Sequence, residues 1–100
     1  MKIILVKYKT RDDKAIENEG LIHGVFDELR RSKPAGLQYN TFKQADGASF
    51  VHLALIDRAD GSNPLLSLDS FKRFQLGLRE RCEQAPVATE LFAVDSYPMP

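Results

Sequence analysis

The chain has one cysteine and no tryptophan among its 100 residues, and its charges cancel, with 14 Lys+Arg against 14 Asp+Glu. A lone Cys82 can form no intramolecular disulfide and no cysteine-rich metal site; its expected role is a small buried apolar filler. Zero net charge removes any long-range pull toward nucleic acid or an anionic membrane. No apolar run approaches the roughly 20 residues of a membrane span. The N-terminal Ile3-Ile4-Leu5-Val6 is also too short for the apolar region of a secretory signal. These absences point to a cytoplasmic chain with neither nucleic acid nor membrane as partner. His23 and His52 fall on different elements with no carboxylate at ligand spacing, so no metal motif can be assembled. No phosphate-binding loop, dinucleotide fingerprint or nucleophile elbow occurs, and no cofactor is expected.

What is present is 43% apolar and 28% charged residues, the composition of a folded domain. The length suits one domain over residues 1–100. A chain of this size buries only about two-thirds of its unfolded surface, which makes self-association a means of burying more.

Residues 3–8, IILVKY, are β-branched and aromatic and read as a strand. Ile4, Val6 and Tyr8 fall on one face, Ile3 and Leu5 on the other. Arg11-Asp12-Asp13 offers a helix start with acids in the first turn. From Asp13 to Ser32, one stripe collects Ala15, Asn18, Ile22, Val25, Phe26 and Leu29 at helical spacing. Lys33-Pro34-Ala35-Gly36 stops that helix. Leu37–Gln44 and Ser49–Asp57 are strand-like runs around Ala45-Asp46-Gly47-Ala48, where Asp-Gly is a strong hairpin signal. Asp57–Pro64 is a polar loop. Ser67 is a plausible N-cap for a second helix with a stripe of Leu68, Phe71, Phe74, Leu78 and Cys82, ended by Gln84-Ala85-Pro86. Val87–Tyr97 reads as a last strand and Pro98-Met99-Pro100 as a frayed tail.

The order β-α-β-β-α-β predicts an α+β, ferredoxin-like split βαβ fold: a four-stranded antiparallel sheet with two helices on one face. The third strand, Phe50-Val51-His52-Leu53-Ala54-Leu55-Ile56, is apolar on both faces, as is the first. A half-solvated strand would alternate apolar with polar. The economical cover is a second copy packed sheet to sheet, giving a homodimer with a barrel-like centre.

Two polar residues stand out. Asn18 sits near the middle of the first helix's apolar stripe, and an amide there must find hydrogen bonds. It serves either a backbone group or buried water, or a ligand cavity between helix and sheet. For a hairpin closed by Asp46-Gly47 as a two-residue loop, Thr41 faces His52, and Tyr39, Thr41 and His52 share one sheet face. A histidine among hydroxyls in an apolar frame could bind or deprotonate a phenolic or enolic ligand. It could equally be a satisfied core or interface histidine. His23, four residues after Glu19, reads as half of a solvated helix pair. The RNA recognition motif shares this element order, but its third-strand aromatics are replaced here by Ala48 and Leu53, and its basic residue by Asp46.

The helix Glu17–Arg30, the hairpin Asp46-Gly-Ala-Ser-Phe-Val-His52 and the helix Phe71–Cys82, in this element order, resemble the antibiotic biosynthesis monooxygenase-like family of the dimeric α/β barrel superfamily. The resemblance implies a homodimer with a ligand cavity between helices and sheet in each subunit. It also implies cofactor-independent oxidation of a small phenolic or quinol substrate, or haem degradation. Haem-degrading members use an Asn on the first strand, a Trp and a helical His, and none has a counterpart here. The Trp, Tyr and Arg that surround substrate in polyketide-oxidising members cannot be placed either, so no catalytic residue is carried over. Two functions follow, beside the reading of a purely structural dimer whose polar core groups satisfy one another. One is a cofactor-free oxidase or monooxygenase of a small aromatic, with His52 as base and Asn18, Tyr39 and Thr41 as binding residues. The alternative is a non-catalytic, small-ligand-binding or stress-associated dimer with the same cavity.

Overall fold

The computed structural model describes residues 1–98. The last two residues of the tail expected to fray, Met99 and Pro100, lie outside them. Strand β1 spans Lys2–Thr10, helix α1 Ala15–Ser32, strand β2 Leu37–Lys43 and strand β3 Ser49–Ile56. Helices α2 (Asp69–Gln75) and α3 (Leu78–Arg81) and strand β4 (Cys82–Leu91) follow. Short 3-10 turns at Asp12–Lys14 and Pro64–Ser67 precede α1 and α2.

The strands pair antiparallel in the order β2-β3-β1-β4, the ferredoxin-like arrangement. Period-two alternation then sorts the sheet. Tyr8, Phe50 and Ala54 turn to the helices and close a core with Ile22 and Val25 of α1, Leu65 and Leu68, and Phe71 and Phe74 of α2. The other face carries Ile3, Leu5, Val51 and Leu53, half-buried, with Phe42 56% and Val87 63% exposed. That face is apolar, and among the described residues no helix packs on it, though Leu55 at its end is buried.

The α1 stripe is as expected: Asn18, Ile22 and Val25 are buried, with Phe26 and Leu29 packed against the core. The helix ends at Ser32, with Lys33 left-handed at φ 45° and its N–H returned to the Leu29 carbonyl. Gly36 then takes φ 76°, and a Cβ there would sit 2.5 Å from the Asp57 carbonyl, so glycine is required twice over.

Three expectations need correction. The second helix does not run to Gln84. Its first segment stops at Gln75, Leu76 is extended, and Gly77 is left-handed at φ 78°. Leu78 and Cys82 continue the apolar spacing across that break, which disguises it. Ser67 is therefore no N-cap: it lies in the 3-10 turn, and the first turn of α2 is capped from outside. Glu28 of α1 accepts from the Ser70 N–H at 2.9 Å and its hydroxyl at 2.6 Å.

The last strand begins at Cys82 and ends at Leu91, earlier at both ends than its apolar pattern suggests. Pro86 sits inside it. It is tolerated because β4 is an edge strand, and because the register slips between the Lys7↔Val87 and Lys9↔Gln84 pairs.

The β2-β3 register, with Thr41 opposite His52, is the expected one, but the connection is five residues long and not two. Asp46 explains this. Its carboxylate accepts from the N–H groups of Ala48 and Ser49 and from the Ser49 hydroxyl, pulling Ala48 out of the ladder. Those bonds to the charged form hold its pKa down at about 2.

Candidate functional site

The register sets the site. Thr41 pairs with His52, Tyr39 with Ala54, and Val6 with His52 across β2, β3 and β1, so these side chains and Tyr8 share the helix face. Helix α1 brings Asn18 over Tyr8, and the Gly77 break turns α3 so that Arg81 comes back against both.

A continuous hydrogen-bonded chain results. Arg81 Nε donates to Asn18 Oδ1 at 3.1 Å, and Asn18 Nδ2 donates to the Tyr8 hydroxyl at 2.8 Å. The Tyr8 hydroxyl meets His52 Nε2 at 2.7 Å, and His52 Nδ1 meets the Tyr39 hydroxyl at 2.6 Å. Thr41 Oγ1 lies 3.2 Å from the same Nδ1. Asn18 is fully buried and Arg81 5% exposed, so the chain is anchored out of water. No carboxylate pairs with Arg81 among the described residues. Its other guanidinium nitrogens donate to the carbonyls of Phe74, at 2.7 Å, and Leu76, at 3.1 Å, where the negative end of the α2 dipole favours a cation.

Donor and acceptor chemistry gives the chain one direction. A guanidinium only donates, so the Asn18 oxygen faces it and the amide nitrogen faces Tyr8. The Tyr8 oxygen already accepts from Asn18, and the one acceptor within reach of its own proton is His52 Nε2. In a neutral imidazole the other nitrogen then carries the proton, so Nδ1–H donates to the Tyr39 oxygen. The Tyr39 proton then turns either to the cavity or to the neighbouring Thr41 oxygen.

Burial keeps this arrangement neutral. It pushes His52 down to about 4 and Tyr39 up to about 12, against a smaller lowering of Tyr39 by the Thr41 hydroxyl. Tyr8 is raised further by the same cause. The rings are stacked as well as bonded: Tyr8 lies over Phe50 at 5.6 Å and Tyr39 over Phe26 at 5.2 Å.

Tyr39, His52 and Tyr8 line one wall of a cavity of about 250 Å³ between helices and sheet. Ile4, Val6, Ala54, Leu65, Phe71, Phe74 and Leu78 supply apolar walls, and Pro86 and Ala88 of β4 the rim. Asn63 and Gln75 are the remaining polar members, and no lining residue bears a formal charge other than a protonatable histidine. No group of three or more His, Cys, Asp or Glu among the described residues could hold a metal ion, and no helix among them is long and apolar enough to cross a membrane.

Of the residues expected from sequence, Tyr39 and His52 line the cavity, while Asn18 and Thr41 do not and are hydrogen-bonded to residues that do. His52 lines the cavity with both ring nitrogens engaged, Nε2 by Tyr8 and Nδ1 by Tyr39. His23 is exposed; Glu19 pairs with Lys43 of β2 at 2.9 Å, which lowers the Glu19 pKa, and His23 helps lower it as a minor cause. Tyr8 and Arg81 escaped sequence reading. Tyr8 counted there only as an apolar face residue, and Arg81 fell inside the expected helix Phe71–Cys82 with no role. Gly77 within a helical pattern was the available signal of a break.

No protein-family model matches this chain, and no curated protein sequence does. Solved structures do share its fold. One named as an antibiotic biosynthesis monooxygenase superposes with a TM-score of 0.77 at 14% identity, covering 95% of this chain and 100% of that one. Rv0793 from Mycobacterium tuberculosis gives 0.76 at 14% identity over 96% of this chain and 97% of its own. A variant of SnoaB, a cofactor-independent oxygenase from Streptomyces nogalater, gives 0.70 at 15% identity over 97% and 96%. The resemblance to the antibiotic biosynthesis monooxygenase-like family seen in the sequence thus extends to the whole fold.

Proposed function

We propose that the cavity binds a small aromatic with a phenolic or enolic oxygen, and that the protein oxidises it with molecular oxygen and without a bound cofactor. The observation that carries this reading is the Tyr39 hydroxyl, held by the His52 ring at 2.6 Å, at the end of a hydrogen-bonded chain that starts at a buried cation and opens into an apolar cavity. A donor held in a water-poor site stabilises charge developing on a bound oxygen. The substrate is therefore one whose oxygen ionises readily, such as a hydroquinone or an anthrone. Its anion gives an electron pair to O₂ and forms a carbon-bound peroxide. Loss of water from the peroxide leaves a carbonyl. A CH₂ group and O₂ become C=O and H₂O, one oxygen atom in each product. The cofactor-independent oxygenase among the similar structures supports the same chemistry.

The uncovered apolar sheet face supports a second copy of the chain as partner, packed sheet to sheet. The engagement of both His52 nitrogens favours a second reading, a non-catalytic binder of the same ligands, because no free base lines the cavity. Oxygen uptake with a panel of hydroquinones and anthrones separates the two. Uptake that falls at least tenfold in Tyr39→Phe supports the oxygenase. Tight binding of the same panel without uptake establishes the binder.

A further inference from the structure

We infer that Asn18 is a polarity-setting residue: held by Arg81, it fixes Tyr39 as a hydrogen-bond donor to the cavity. The site then selects ligands by an acceptor oxygen, a phenolate or a quinone-type carbonyl, over a neutral hydroxyl offering its own proton. This rests on the cavity being a ligand site, but the direction of the chain does not.

Each link follows from the one before. Arg81 Nε, 3.1 Å from Asn18 Oδ1, can only donate, so the Asn18 amide must present N–H to Tyr8. Tyr8 can then direct its proton only to His52 Nε2, and His52 only its Nδ1–H to Tyr39. The Thr41 hydroxyl sits beside the same Nδ1 and can adapt to either direction by rotating. Arg81 only donates, and the tyrosines and His52 can each donate or accept. Asn18 is the one joint where a near-isosteric change alters that choice.

Asn18→Asp makes the prediction sharp. A carboxylate accepts from Arg81 with one oxygen and from the Tyr8 proton with the other. Tyr8 then accepts from His52 Nε2–H, Nδ1 accepts from Tyr39, and the Tyr39 oxygen faces the cavity as an acceptor. One substitution outside the cavity inverts what the cavity asks of its ligand.

Two measurements on the full chain test this. In ligand-free wild type, ¹⁵N-resolved NMR of the His52 ring is expected to show the proton on Nδ1, and in Asn18→Asp on Nε2. A wild-type proton on Nε2 overturns the inference, and does so whether or not the variant folds. The second probe is 4-nitrophenol, whose colour reports ionisation. Bound to wild type it is expected to ionise at least tenfold more readily than bound to Asn18→Asp. Equal ionisation in both proteins overturns the selectivity. No binding to wild type overturns the ligand assignment while the ring proton still decides the direction of the chain.

Discussion

Arg81 and Asn18 meet at 3.1 Å with no carboxylate beside them, so a buried cation is satisfied by one amide and two carbonyls at the end of a helix. Replacing it strands all three oxygens. Arg81→Met is expected to destabilise the fold by about 2–4 kcal/mol, since each orphaned buried acceptor costs on the order of 1 kcal/mol or more. Urea unfolding measures this. A loss under roughly 0.5 kcal/mol, the range of ordinary surface substitutions, would show that Arg81 organises nothing.

His52 gives stability a pH dependence of known sign. Burial holds it at about 4 against an ordinary 6.5. Because the folded value lies below the unfolded one, the unfolded chain takes up the proton first as pH falls. The contribution is whole above about pH 6.5, fades toward pH 4 and is gone below, amounting to roughly 3 kcal/mol in all. The test compares unfolding free energies of wild type and His52→Gln across that window. Wild type should lose stability more steeply on acidification; parallel curves would contradict a buried neutral imidazole.

Tyr39 can lose its hydroxyl and keep its ring, stacked on Phe26 at 5.2 Å. Tyr39→Phe is therefore expected to weaken binding of 4-nitrophenol about tenfold, equivalent to one hydrogen bond of roughly 1.4 kcal/mol, while the unfolding midpoint moves little. Unchanged affinity would move the ligand's oxygen elsewhere in the cavity.

Gly36 is constrained by its φ of 76° and by the Asp57 carbonyl 2.5 Å from where a Cβ would stand. Gly36→Ala should cost about 1–3 kcal/mol, combining left-handed strain with a clash against backbone. Thermal unfolding decides it, and a midpoint equal to wild type would refute the constraint.

The open sheet face carries Val51 and Leu53 at its middle and Phe42 and Val87 toward its edges. Light scattering at micromolar concentration is expected to give a dimer for wild type, and a monomer for Leu53→Glu. A monomeric wild type would leave that apolar face without the partner assigned to it.

The fold was legible because its apolar alternation is strong. IILVKY and FVHLALI are strand-like whatever surrounds them, and the register that joins Thr41 to His52 follows from the hairpin even though Asp46 lengthens the loop. The break at Gly77 was not legible, because Leu78 and Cys82 keep helical spacing across it and so conceal where Arg81 goes. The site was half legible for a related reason. Asn18 announces itself as an amide on an apolar stripe and His52 as a histidine within a buried strand. Tyr8 is indistinguishable in sequence from the apolar residues of its face, and only the three-dimensional meeting of β1, α1 and α3 shows that its hydroxyl joins the two.

The most direct measurement is a crystal structure of the protein with 4-nitrophenol bound. The expected result is the ligand ring between Phe74 and the β1 side chains, with its oxygen within hydrogen-bonding distance of the Tyr39 hydroxyl and the His52–Tyr8–Asn18–Arg81 chain intact behind it. A ligand seated on the open sheet face, or one in the cavity with its oxygen turned away from Tyr39, would contradict it.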